Sequence, residues 1–319
     1  MPTPSDKLTD RSSVNDEWAA RSVQPPRSVF GNYQAPGRAS SGLADQQCHL
    51  SQRPPATPES LQSSIDSALA RSFIYRFLAQ VYQHPTIEAW TRVSEADCRH
   101  MLERAVGALA AHASSLAASG AAFCARLQPE EFEGFQGAYL AAFGHAARGR
   151  CPLNEIEYGD IKADPLFQPH RLADLAAFYR AFGLELAEDA DERHDHICLE
   201  LEFMCVLAAK EAYALEHQFD AESLSMCREA QKKFLREHLG RWTPAFTRRL
   251  ARLAGDTPLS ALADFTREFI EAECRRCGVP PGSEDLLLRP VDENAESLCN
   301  SCGVAQLPPG ALPSSATAA

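Results

Sequence analysis

The chain lacks the features that announce most enzyme classes. It holds no G-x-x-x-x-G-K-[ST] phosphate loop, no G-x-S-x-G nucleophile elbow and no H-E-x-x-H zinc helix. No Glu-x-x-His occurs anywhere, which excludes a di-iron carboxylate bundle. No apolar run reaches the roughly 20 residues that a membrane-spanning helix needs, so stable membrane insertion is not expected. No basic n-region, apolar h-region and cleavage site open the chain, and the expectation is a cytoplasmic protein outside the Sec route. Basic side chains are outnumbered 31 to 43, for a formal net charge of -12, and Arg248-Arg249 and Arg275-Arg276 are isolated pairs. Such a surface repels nucleic acid and suits a basic partner. Glycine is sparse, at 17 of 319 residues, and β-branched runs are scarce, which argues against a sheet.

What is present is helical patterning. Ala, Leu, Glu and Arg dominate the composition. The central stretch is Glu192 to Leu215, in which Ile197, Leu201, Met204, Ala208 and Ala212 share one face. Leu199, Phe203 and Val206 add apolar groups on other faces, so this helix is expected to be packed on most sides. Thr57-Pro58-Glu59 marks a helix start, and Leu61, Ile65, Leu69, Phe73, Phe77 and Val81 form its stripe. Ser94-Glu95-Ala96-Asp97 reads as a capping box for a helix through Leu109. Further helices are expected from Pro129 to Phe143, Pro169 to Phe182, Asp220 to Leu239, Pro244 to Ala254 and Leu259 to about Glu273. The fold class is all-α, with no convincing strand and no internal repeat.

The domain plan has four parts. Residues 1–57, rich in Ser, Pro, Gln and Arg, read as a disordered tail that cannot bury enough apolar surface to offset its ordering entropy. Residues 58–273 form the helical domain. Residues 274–303 carry two Cys-x-x-Cys-Gly motifs, Cys274/Cys277 and Cys299/Cys302, and residues 304–319 form a second disordered tail. Four thiolates suit a tetrahedral Zn2+ ion, with an iron–sulfur cluster as the alternative and two labile dithiols as the metal-free one. The other cysteines of the 11 are scattered singly, which fits a reducing compartment.

Two polar constellations stand out. A long irregular stretch from Arg148 to Pro169 carries Cys151-Pro152, Glu155 and Tyr158, and loops of this length in a helical protein are often functional. The knot Glu192-Arg193-His194-Asp195-His196 opens the central helix, with Glu200 one turn beyond His196. An aspartate there favours the helix dipole, and His196 can bond Glu200, so spacing alone supports a structural role as readily as a ligand site.

These residues resemble the TorD/DmsD/NarJ family of molybdoenzyme-maturation chaperones. Glu192-x-x-Asp195-His196-Ile197, leading into Leu199-Glu200-Leu201-Glu202-Phe203-Met204, is similar to the family signature. Tyr139-Leu140-Ala141-Ala142-Phe143 resembles its aromatic-x-x-Leu-Phe element, with Ala142 in place of leucine. The segment with Pro152, Glu155 and Tyr158 resembles its P-x-E-S-x-Y element, with Ile156 in place of serine. The resemblance covers about residues 65 to 250. It implies a cytoplasmic non-enzyme that binds the N-terminal, twin-arginine-type signal or apo form of a molybdopterin oxidoreductase subunit and holds export until the cofactor is inserted. Glu155, Tyr158, Glu192, Asp195, His196 and Glu200 are the expected signal-binding residues, helped by Glu157, Asp160, Asp164, Asp189 and Asp191. Carboxylates beside an apolar groove are what an arginine-bearing, then hydrophobic, peptide requires. Two other readings stay open: a metal- or redox-responsive regulator acting through the four cysteines, and a metalloenzyme using His196 and Glu200.

Overall fold

The computed structural model describes residues 58–110, 113–144, 149–159, 167–187, 190 and 192–289. The two tails, Asp160, Asp164, Asp189, Asp191, Cys299 and Cys302 lie outside the described residues. Among the described residues there are ten α-helices: α1 Pro58–Val81, α2 Ile87–Ser94, α3 Ala96–Leu109, α4 Ser114–Arg126, α5 Phe132–Phe143, α6 Phe167–Ala181, α7 Ile197–Glu216, α8 Ala221–Glu237, α9 Leu239–Ala254 and α10 Pro258–Cys277. Among the described residues there is no strand, only the isolated bridges Asn154 to His196 and Tyr158 to Leu288. The all-α expectation holds.

The central helix is α7, about 30 Å long at 1.5 Å per residue. Ile197, Leu201, Met204 and Ala208 are fully buried, as the stripe predicts. Phe203 points elsewhere and is buried too, because its ring meets Phe178 of α6 at 6.2 Å, Phe182 just beyond that helix at 5.7 Å and Phe234 of α8 at 4.7 Å. Helix α1 lies along α7, α8 packs on α7 as well, and α9 and α10 pair with each other and carry Trp242, Phe246, Phe265 and Phe269 into the core.

Three local expectations are corrected. The Ser94 capping box does not form: Ser94 ends α2, its hydroxyl donates to the Thr91 carbonyl, and Glu95 caps α3 without a side-chain bond. Helix α2 itself was not anticipated; it is eight residues long, too short for a periodic signal, and starts where Thr86 accepts from the Ala89 amide at 3.2 Å. Helix α9 begins at Leu239 and not at Pro244, and Thr243 is a buried helical residue donating to the Leu239 carbonyl. A proline this far inside a helix strips one carbonyl of its donor, here that of Gly240. The Gly282 amide takes its place, 2.9 Å from the Gly240 oxygen. That approach demands glycine at both positions. A Cβ on Gly282 would meet the Arg241 carbonyl at 1.8 Å, and one on Gly240 would meet the Cys274 sulfur at 2.7 Å.

Candidate functional site

The loop after α5 is stitched to the start of α7. The Cys151 amide returns to the Ala142 carbonyl of α5 at 3.0 Å. The Ile197 amide then donates to Leu153 O, and the Glu155 amide to Asp195 O, each at 2.9 Å. Asp195 completes the joint from its side chain. It is fully buried and accepts from Asn154 Nδ2 at 3.1 Å, the Ile156 amide at 3.2 Å, and Arg193 at 3.0 and 2.9 Å. With four donors on two oxygens, this carboxylate is saturated. Asp195 is therefore not at an open groove mouth, and its acidity is spent inside the protein.

Glu155 sits deeper and gathers cations. Its wholly buried carboxylate accepts from Arg171 at 3.0 and 2.6 Å, His238 Nδ1 at 2.9 Å, and Arg241 at 3.4 and 3.2 Å. Arg171 also donates to the Glu237 carbonyl. Burial pushes the carboxyl up, but the bond from His238 and the two guanidinium groups outweigh it and leave it below its ordinary value. Tyr158 is equally enclosed: its hydroxyl donates to Pro152 O at 2.8 Å and its ring lies 5.2 Å from Trp242. Glu155 and Tyr158 are thus the pins that hold the loop down.

Glu200 is the second carboxylate of the site interior. Trp242 Nε1 donates to its Oε2 at 3.1 Å, while Oε1 has no protein partner. Burial, reinforced by the negative charge of Glu155, pushes its carboxyl well above its ordinary pKa. His196 does not bond Glu200. It caps α7, its Nδ1 accepting from the Cys198 amide at 3.3 Å. Its ring keeps some exposed surface yet is densely surrounded by protein atoms, and burial, aided by Arg193 against Asp195, lowers its pKa to about 4. Of the named residues, Glu192 alone is openly exposed. The structure brings Glu155, Tyr158, Asp195, His196 and Glu200 into one joint, and it turns the charges of Glu155 and Asp195 inward.

The first cysteine pair is part of α10, not of a separate segment. Cys274 and Cys277 occupy its last turn, closed by Gly278 in the left-handed conformation. Cys274 is wholly buried, with its thiol pushed up to about 12 by burial, and Cys277 is half-buried.

Comparison with known proteins fits this geometry. The family described as nitrate reductase delta subunit matches residues 100–248, a span that encloses the entire joint from Glu155 to Trp242. A selenate reductase assembly chaperone protein of Thauera selenatis is 30% identical over 218 residues, covering 68% of this chain and 95% of that protein. The chain belongs to the TorD/NarJ family of assembly chaperones. A perchlorate reductase assembly chaperone protein of Dechloromonas aromatica is 29% identical over 220 residues, 67% of this chain and 92% of its own length. A chaperone protein TorD of Vibrio cholerae is 28% identical over 119 residues, 37% and 52% of the two chains. These three relatives carry chaperone names. No helix among the described residues is long and apolar enough to cross a membrane.

The sequence did not reveal what surrounds the signature in this TorD/NarJ-type chain. Arg171, His238, Arg241 and Trp242 complete the joint from 16 to 86 positions away from Glu155 and 42 from Glu200. A second buried network, Arg71 with Glu211, Gln231, Glu273 and Arg276, was also missed. Arg71 shares a buried face of α1 with Ile74, Tyr75 and Leu78, and a charge among those apolar positions is the one signal that could have found it.

Proposed function

We propose that this chain escorts the apo catalytic subunit of a molybdopterin oxidoreductase and engages its N-terminal signal, of twin-arginine type, beside the joint between the 149–159 loop and α7. The near end-to-end alignment with a chaperone named for selenate reductase assembly carries this reading. The overall acidity supports it, since a net charge of -12 draws in a basic signal. Because Glu155 and Asp195 are consumed internally, the arginines are met by exposed acids such as Glu192 and Glu185, while the buried carboxylates hold the loop in shape. Glu200, Tyr158 and His196 act the same way, as positioning residues.

Titration calorimetry with a signal peptide of the client tests it. Binding weakens as salt rises, because exposed charges are screened over about 8–10 Å at 0.1–0.15 M salt. Glu192→Gln and an Arg-to-Gln signal each weaken binding, and the folded state is unchanged. Wild-type protein that ignores the peptide, or a variant pair that binds it as well as the original pair, removes signal recognition at this face.

A further inference from the structure

Beyond Glu155 lies a cluster that the joint leaves unused. His238 is wholly buried at the junction of α8 and α9. Its Nδ1 faces Glu155 Oε2 at 2.9 Å. That carboxylate already receives Arg171 and Arg241, so it offers only lone pairs and Nδ1 is the donor. Nε2 on the opposite side of the ring is buried and has no hydrogen-bond partner. It faces Asp174 Oδ2 at 3.7 Å, outside hydrogen-bonding distance. Asp174, Glu237 and His238 each present one ligand atom within 4.8 Å of the others.

We infer that Asp174, Glu237 and His238 form a site for a divalent first-row metal ion, separate from the cysteine tail. A metal-binding histidine characteristically donates its other ring N–H to a carboxylate, which fixes the tautomer and aims the free nitrogen at the ion. Glu155 holds that outer position here. One imidazole and two carboxylates form a mixed nitrogen–oxygen set that suits Zn2+ or Mn2+. Ligands about 2.0–2.2 Å from an ion sit roughly 3–3.5 Å from one another, so the set must close slightly. The two carboxylates have the freedom to do so, at 53% and 30% side-chain exposure. Arg236 at 2.7 Å and Lys233 at 3.8 Å compete for Glu237, but both are more than half exposed, and such surface pairs are weak.

Mn2+ is the discriminating probe, because this hard ion avoids thiolates and so reads the carboxylate–histidine site alone. Titration of the full chain, followed by loss of the free-ion paramagnetic resonance signal, is expected to show one bound Mn2+ per chain. Asp174→Asn and Glu237→Gln each weaken it about ten-fold or more, while Cys299→Ser leaves it unchanged. No uptake at millimolar Mn2+, or uptake by both carboxylate variants as tight as that of the wild type, overturns the site. A second readout is the 15N imidazole spectrum on adding Zn2+. His238 Nε2 shifts in the wild type and not in the double variant, and an unmoved resonance in the wild type overturns it as well.

Discussion

Arg71 on α1 and Glu211 on α7 meet at 2.9 Å in the protein interior, 140 positions apart in sequence and each with only 3% of its side chain exposed. Arg228 and Gln231 of α8 join Glu211 at 2.8 and 2.9 Å, and Arg71 reaches Gln231 and Glu273. One ion pair thereby ties α1, α7, α8 and α10. Removing one member of a buried pair strands the other, at a cost of about 3–5 kcal/mol. Arg71→Ala is expected to lose that much in denaturant unfolding, and Glu211→Ala on top of it much less. Burial pushes the Glu211 carboxyl up, but Arg71, Arg228 and Gln231 outweigh it and hold it at about 2. A depressed carboxyl stabilises above its unfolded value and ceases to do so as pH falls from about 4.5 to 2, and that loss is smaller in Arg71→Ala, where only Arg228 and Gln231 still hold the carboxylate.

Asp195→Ala acts through the fold and not through direct contact with a client. It leaves the Ile156 amide and Asn154 without their acceptor and releases Arg193, costing about 2–4 kcal/mol of unfolding free energy. Glu192→Gln is silent in the same experiment. Equal stability of the two variants contradicts the buried joint.

His196 and Glu200 predict opposite pH trends. A histidine whose folded pKa is lowered to about 4 stabilises above its unfolded value near 6.5. That contribution fades as pH falls from about 6.5 to 4, and His196→Ser, which keeps a cap, removes the slope. A carboxyl raised in the folded state contributes below its unfolded value and loses that contribution as pH rises. Glu200→Gln keeps an acceptor for Trp242, so its melting temperature exceeds that of the wild type at pH 8 and the difference closes below about pH 4. A melting series across pH checks both.

The fold was legible where signals are local and repeated. Stripes and stops placed α1, α5, α6, α7 and α8, and Gly144 and Gly183 end α5 and the turn after α6 with positive φ, as read. Helix α4 was not anticipated because its Ala- and Ser-rich run carries only Leu116 and Phe123 as large buried markers. The residues of the joint were legible as a set, but their burial was not. Two of the four donors on Asp195 come from Asn154 and the Ile156 amide, 41 and 39 positions away. Spacing along one helix carries no information about that.

We propose that Cys274, Cys277, Cys299 and Cys302 form a metal clip, and the fold sets a condition on it. Cys274 packs beneath Gly240 at the end of α10, so four-thiolate binding requires that last turn to open. Zinc is expected in protein purified without chelator and lost in Cys299→Ser, with faster amide exchange at 274–278 in the loaded form. Four thiols that titrate freely in zinc-supplemented protein contradict the clip.

The most direct measurement is mass spectrometry of what co-purifies with the native chain. The account predicts a molybdopterin oxidoreductase catalytic subunit, with its N-terminal signal retained and its cofactor absent. Recovery of only cofactor-loaded, signal-free enzyme, or of no such subunit, contradicts a role in assembly before export.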